Sequence, residues 1–468
     1  MRIVSALLIS LLAASYASAQ TPAPTRRGAT GYAPSDTTEA ARLIREIHDH
    51  QQAVADLEYL ADVIGPRLTG SASLLRAHQW AESTMKSVGA VNVHREGYAF
   101  GPSWTRGTAS GRLISDNGAN LGLAQLGWSP STAGTVRGEV IRFSGAIDQL
   151  APLAGRFKGK IILASPASPS SASDSATLKS LVKAMVDEGA LAYLSESDKA
   201  LSLNMGGSPN WRFPFRPQIP NAILSQESFQ LLDRLAARGS PVTVELTLPG
   251  TRSPQPVQAF NTIGEIRGSE KPDEVVVIGA HMDSWDLGTG ATDNGTGTVS
   301  VIEALRAIKA LGVQPKRTIR AILFSGEEQG LLGSKAYVAA HRTELPQIQA
   351  VLIDDLGTGR INGWALQKFE SARPFMATAI GPLNELGVTA LPLEFSNDSD
   401  HGPFADAGVP AFFGVQDQED YFLVTHHSQF DTFSHVKPES LVEGATALAV
   451  TAWQLANMDE RLPHRTGN

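Results

Sequence analysis

The chain has 468 residues, a formal charge of −8 and 42% hydrophobic residues, enough for a large core and more than one domain. Its mild acidity, without a basic stripe, argues against nucleic acid as a partner. It has no cysteine, which excludes disulfides and thiolate ligands and leaves His, Asp and Glu for any metal.

Arg2 precedes the apolar run Ile3 to Ala14, and Ala17-Ser18-Ala19 follows before Gln20. This pattern predicts a secretory signal peptide over residues 1–19, and hence a secreted or periplasmic protein. The run falls short of the ~20 residues that cross a bilayer, and no later stretch is apolar enough to span one. Residues 20–36, rich in Pro, Thr, Gly and Ala, read as a disordered linker. A first domain is expected to begin with residues 37–100. Thr37 to Ile64 is helical in periodicity, with Leu43, Ile47, Val54, Leu57 and Leu60 on one side, until Gly65-Pro66 stops it. A further helix is expected over Ala72 to Val88, and a strand over Val91 to Ala99.

Residues 101–249 contain short β-rich runs, Ser/Pro/Gly loops and no histidine. Strands are expected over 158–164, 190–194 and 242–248 and a helix over 178–188, with 165–175 a solvated Ser/Ala/Pro loop. This segment reads as a β-rich α+β insertion, since insertions are tolerated at loop tips. Residues 250–468 then resume the first domain. Phe260 to Ile266 is expected to pair with Val275 to Gly279 across the turn Gly268 to Asp273. Further strands are expected over Thr318 to Phe324, Val351 to Ile353 and Pro410 to Val415. One helix should begin at Asn294 or its neighbour, burying Val299, Ile302, Leu305 and Ile308, and another near Leu331. The alternation predicts an α/β fold, a mostly parallel mixed sheet sandwiched by helices. Ligands bind such sheets outside the carboxyl ends of the strands.

Chemistry gathers at those ends. The first apolar strand runs into His281 and a Gly-rich loop carrying Asp283, Asp286 and Asp293. Glu327-Glu328 follow the second, Asp355 the third, and His426-His427 the fourth. Singly, each has an ordinary explanation: a helix cap, a packed imidazole, a solvated turn. Together, on parallel strands, they would crowd one sheet edge, where like carboxylates repel and raise one another's pKa. Cations resolve that conflict, and this donor set suits zinc.

The ordered motifs are His281-Met-Asp-Ser-Trp-Asp286, Asp293-Asn-Gly-Thr-Gly297, Gly326-Glu-Glu-Gln-Gly330, Asp355-Leu-Gly and His427-Ser-Gln-Phe-Asp-Thr432. With Gly65-Pro-Arg-Leu-Thr-Gly70, they resemble the co-catalytic zinc exopeptidases, and among these the plasma glutamate carboxypeptidase type. The insertion resembles a protease-associated domain. The resemblance implies two zinc ions, one on His281 and Asp355, the other on Glu328 and His427, with Asp293 bridging both. It implies Glu327 as general base and a cis peptide after Asp293, while Asp283 fits the role of orienting His281. Only the family pattern of His before Ser or Thr selects His427 over His426. Asp400 and His401 line a substrate pocket or pack in a loop. Asp417, Glu419 and Asp420 anchor a substrate amine or form a solvated turn. Tyr421 and Phe422 wall the pocket or join the core. The expected partners are short peptides, with room for a homodimer. Rival readings are a single-zinc glutaminyl cyclase and a non-catalytic receptor-like relative, the latter predicting lost ligands.

Overall fold

The computed structural model describes residues 37–116, 118–143, 155–164, 183–203, 206 and 219–465. The expected signal peptide, linker and Ser/Ala/Pro loop lie outside these residues, as does the start of the helix expected over 178–188. Helices α1 (Glu39–His50), α2 (Ala53–Glu58) and α3 (Ala72–Ser87) open the described chain. Thr38 caps α1, its hydroxyl accepting from the Ala41 amide at 3.2 Å, and Leu43, Ile44 and Ile47 are buried on its inner face. α2 continues helically to Ile64, where Gly65 at φ 82°, ψ −155° ends it, a conformation open to glycine because it carries no Cβ.

β1 (Val91–Thr105) then carries the chain to a second sheet of β2 (Ser110–Ile114), β3 (Leu123–Gln125), β4 (Val136–Phe143), β5 (Lys160–Ala164), β6 (Ala192–Glu196), β7 (Asn221–Leu224) and β8 (Thr243–Thr247), with α4 (Gln226–Ala237) between the last two. Its order is β2-β8-β4-β5-β6-β7-β3, and β4 to β7 are parallel. β9 (Thr251–Ile266) returns alongside β1, antiparallel from Thr105↔Thr251 to Val91↔Glu265. Gly101 therefore lies inside this two-stranded ribbon, and the second sheet's own strands span 110–247.

The first sheet is completed by β10 (Lys271–His281), β11 (Arg317–Phe324), β12 (Ile348–Ile353), β13 (Ile361–Ala365) and β14 (Ala411–Gln416). Helices α5 (Thr296–Ala310), α6 (Leu332–Ala340), α7 (Arg373–Ile380), α8 (His401–Asp406) and α9 (Pro438–Asn457) complete the fold. The order is β1-β9-β11-β10-β12-β14-β13, with β11, β10, β12 and β14 mutually parallel. The expected pairing of Phe260–Ile266 with Val275–Gly279 does not form, because β11 lies between β9 and β10. The reason is burial: a strand apolar on both faces belongs between parallel neighbours, and the crossover through α5 brings β11 into the slot a hairpin would have used. β13, absent from the sequence reading, is one of the two edge strands, antiparallel to β14.

Period-two alternation on β10 divides the core. Val276, Ile278 and Ala280 pack beneath α1, α3, α5 and α9, while Val275 and Val277 face Phe324, Tyr337 and Phe404 on the other side. Two-sided burial fixes register, since a one-residue slip would exchange these faces, and so fixes where each strand end delivers its next side chain.

A polar clasp ties β1 to the end of α6. His341 Nε2 lies 2.9 Å from Glu96 and Nδ1 3.0 Å from Glu344, and its ring stacks on Tyr337 at 4.2 Å. Partial burial alone would lower the imidazole pKa, but the bonds to Glu344 and Glu96 outweigh it and raise it. A raised folded pKa adds stability below the unfolded value of about 6.5, and that stability is lost as pH rises through the folded value. His341→Gln is expected to cost about 0.5–1 kcal/mol near pH 6 and much less near pH 9, read as paired denaturant midpoints. An equal cost at both pH values would contradict an ionised clasp.

Candidate metal centre

β10, β11 and β12 end side by side, and each places an acid or imidazole at the same edge. His281 closes β10, Glu327 and Glu328 sit in the turn after β11, and Asp355 lies two residues past β12. Asp293 belongs to the segment leading into α5, with non-helical backbone (φ −127°, ψ 93°), and its peptide bond to Asn294 is cis. The Asn294 Oδ1 accepts from the Gly297 amide at 2.9 Å, and its Nδ2 donates to the Asp354 carbonyl at 2.7 Å. Asn294 thus caps the helix from just outside it, close to the expected start.

The two oxygens of Asp293 face different histidines. Oδ1 lies 3.3 Å from His281 Nε2, and Oδ2 lies 3.5 Å from His427 Nε2. His281 Nε2 is also 3.1 Å from Asp355 Oδ1, and His427 Nε2 is 2.9 Å from Glu328 Oε2. Two sets of donor atoms within 4.8 Å share Asp293: one with His281 and Asp355, the other with His426 and His427. His426 stacks on His427 with ring centroids 3.7 Å apart, so it stands beside the second set, while Glu328 joins that set through His427. His427 adopts φ 58°, a left-handed conformation that His enters more readily than most residues.

The electrostatics are those of crowded acids. Burial, then Asp293, raises the Glu328 carboxyl well above the usual range. Burial does the same to Glu327, with Asp355 and Glu328 adding to it against His281. Asp293 runs the other way: burial would lift it, but the His281 bond and the His427 and His426 charges hold it far below the usual carboxylate value. Desolvation lowers His427 despite Asp293. It also opposes the charge of His281, yet Asp355 and the surrounding carboxylates keep that imidazole's pKa well above normal.

A second ring of groups holds the first. The imidazole of His281 bonds through Nδ1 to the main-chain oxygen of Asp283 at 2.9 Å, while the Asp283 carboxylate lies 3.6 Å away. That carboxylate accepts instead from Thr69 at 2.7 Å and from the Glu327 amide at 3.4 Å. Ser399 donates to Asp355 Oδ2 at 2.6 Å. Asp431 accepts from the Thr292 amide at 2.6 Å and the Asp293 amide at 3.2 Å. Gly326, before the two glutamates, has φ 69°, and a Cβ there would meet the Tyr98 hydroxyl at 2.6 Å, so glycine is required at that turn. Asp286, in the same loop as Asp283, turns away to a two-pronged bond with Arg106 at 2.7 and 2.9 Å.

A cavity of about 530 Å³ opens over the site; Tyr421, Phe422, Leu331 and Lys335 are among its walls, with Glu327, Glu328 and the histidines at its floor. Tyr421 therefore reaches the cavity. Asp400 and His401 are fully buried and are not part of its lining. His401 Nε2 bonds to the Ser396 carbonyl at 3.0 Å and its ring stacks on Phe413, while burial lifts Asp400 to about 7. Among the acids of the 417–420 turn, Asp417 pairs with Arg360 at 2.8 Å and Glu419 with Lys437.

Residues 261–452 match the family model described as Peptidase family M28. Over 414 residues the chain is 33% identical to mouse (Mus musculus) carboxypeptidase Q, covering 87% of this chain and 86% of that protein; the human protein is 32% identical over 412 residues, with the same coverage. The chain belongs to peptidase family M28. Like its relatives, this M28 chain is a metallopeptidase. The crystal structure of a Shewanella amazonensis peptidase M28 precursor superposes with a TM-score of 0.77 at 30% identity, covering 92% of this chain and 98% of that one. A zinc aminopeptidase from Bacillus subtilis shares the fold at 21% identity, with a TM-score of 0.65 over 88% of this chain and 96% of that one.

The five expected ligands and Glu327 thus converge. Sequence reasoning missed Thr69, Ser399 and Asp431 as supports, although Asp431 lies within the quoted motif after His427. Asp293 Oδ2 and Glu328 Oε1 are buried without a hydrogen-bond partner, which is costly unless a cation meets them. Zinc added to chelated protein is expected to raise the thermal midpoint, gaining about 2.7 kcal/mol at a hundredfold excess over Kd. A midpoint indifferent to zinc and other divalent ions would count against a metal centre.

Proposed function

We propose that this metallopeptidase is an exported di-zinc exopeptidase that hydrolyses dipeptides or short peptides. The observation that carries the reading is Asp293, whose two oxygens address two separate histidine–carboxylate pairs. A single carboxylate can span metals about 3.5–4 Å apart. His281 and Asp355 would hold one ion, Glu328 and His427 the other. The donor chemistry fits zinc, with imidazole and carboxylate ligands and no thiolate, and the zinc named in the Bacillus subtilis neighbour supports that choice. The Arg2 to Ala19 pattern supports export, and no helix among the described residues is long and apolar enough to cross a membrane.

Bound zinc supplies Lewis-acid polarisation of the scissile carbonyl and lowers the pKa of water at the site. The chain supplies the proton handling and positioning. Glu327 lines the cavity with Oε2 3.9 Å from His281 Nε2, as befits a base beside the metal site rather than a ligand in it. It would take the proton of the attacking water and pass it to the leaving amine. Asp283 and Thr69 steady its main chain. The cavity's size suits one or two residues of substrate. The second sheet, which we read as a protease-associated domain, borders the mouth: Lys199 donates to the His426 carbonyl, and the Leu203 amide donates to Gln429 at 2.7 Å.

The two adjacent glutamates give the sharpest test. Glu327→Gln is expected to retain zinc and bind substrate while losing about 10²–10⁴-fold in kcat. Glu328→Gln should lose zinc as well as turnover. Equal metal loss in both variants would dissolve the division of labour, and near-normal turnover in Glu327→Gln would remove the base. A zinc count of one at full activity would favour the glutaminyl-cyclase reading.

Unblocked dipeptides are expected to be cleaved and folded proteins left intact, as followed by mass spectrometry. Internal cuts in a folded protein would argue against a restricted mouth.

A further inference from the structure

We propose that Arg67 is a positioning residue of the metal centre: its buried guanidinium sets the loop that aims Asp293 between the two histidine sets. The inference rests on the metal reading above and extends it to a residue that touches no metal or substrate.

Arg67 is fully buried, a place arginine rarely occupies unless its charge and donors are met. Three of its four side-chain bonds go to main-chain oxygens of one loop. Nε donates to Met282 at 2.7 Å, Nη1 to Thr289 at 2.8 Å and Nη2 to Gly290 at 2.6 Å, with a longer Nη1 bond to Gly65 at 3.3 Å. The main chain of Arg67 pairs with the same loop, its amide donating to Ser284 Oγ at 3.0 Å and its carbonyl accepting from the Ser284 amide at 3.2 Å. The loop is thus gripped at its start, at Met282, and at its end, at Thr289 and Gly290. His281 is the residue before the first grip and Asp293 comes three residues after the last.

The fit leaves no slack. Gly290 has φ 67°, and a Cβ there would sit 2.8 Å from Nη2 and 2.4 Å from Ser284 Oγ. The guanidinium also feels a concentration of acids: burial lowers its pKa, Asp431, Asp283, Asp293 and Glu328 raise it, and the balance stands at about 10. Arg67 therefore stays charged at neutral pH, a fixed cation whose field acts on carboxylates that otherwise repel. A lysine could not reproduce this, because its three donors share one nitrogen whereas the planar fork serves carbonyls at both ends of the loop.

The test compares wild-type protein with Arg67→Lys and Arg67→Ala, each chelated and titrated with zinc against a chromophoric competitor. Arg67→Lys should stay folded by circular dichroism and bind zinc about 10–100-fold more weakly, the range for groups that orient metal ligands. Its cobalt-substituted form should show shifted visible bands, which a purely structural role would leave unchanged. Millimolar guanidinium, but not methylammonium, should partly restore zinc affinity to Arg67→Ala. Unaltered zinc affinity and cobalt spectrum in Arg67→Lys would overturn the assignment alone. So would a lysine variant that remains unfolded at saturating zinc, since Arg67 would then serve the whole fold. Wild-type protein that binds no zinc would overturn the metal reading and this assignment with it.

Discussion

Four carboxylates, those of Asp293, Glu327, Glu328 and Asp355, share one buried basin. Buried like charges repel at close range, which favours the neutral form of an acid unless a positive group stands beside it. Asp293 is the member that finds partners, since the imidazoles of His281, His427 and His426 act on it and its pKa falls while those of Glu327 and Glu328 rise. The arrangement is unstable as a set of isolated residues and becomes sensible as a receptor for cations.

Holding it takes a rigid scaffold. β10 is buried on both faces and paired on both edges, so its carboxyl end cannot shift without disturbing two core layers. The glutamate turn is pinned by the Tyr98 hydroxyl, which donates to the Ser325 carbonyl at 2.7 Å, and by the Asp283 carboxylate beneath Glu327. The 282–290 loop is gripped from inside by Arg67. From the other side it meets the second sheet, through Arg106 on Asp286 and through Trp285, whose ring packs edge-on against Trp128 at 6.5 Å and against His427 at 6.0 Å.

The same contacts join the two sheets functionally. The β1–β9 ribbon links them, and an aromatic cluster of Phe100, Trp104, Trp128 and Trp285 fills the junction. The residues that complete this junction come from β1, from the loop after β3 and from the 282–290 loop. The loop bearing His427 also meets the chain after β6, at Lys199 and Leu203. The second sheet and its loops, bonded in this way to the loops that carry Asp286 and His427, form part of the site's surroundings.

Much of the site was legible because its signals are local. An apolar β-branched run ending in His281, a Glu pair after the next run and Asp355 after the third each lie beside the strand that positions them. Parallel order then converts chain order into spatial proximity. The strands Thr318–Phe324 and Pro410–Val415 were visible for the same reason, and so was the buried face of α5. The β9–β10 pairing was misread because a short turn between two strands looks like a hairpin, and only competition for the central position shows otherwise. The sequence by itself determined the donor types, their order and the α/β class, since these depend on residue chemistry and short-range periodicity. The tertiary structure alone decided that His427 meets Glu328 with His426 stacked beside it, that Asp400 and His401 lie behind the wall, and that Arg67 grips a loop over 200 residues away in sequence. Those facts depend on distances between segments far apart in the chain, which no local pattern encodes.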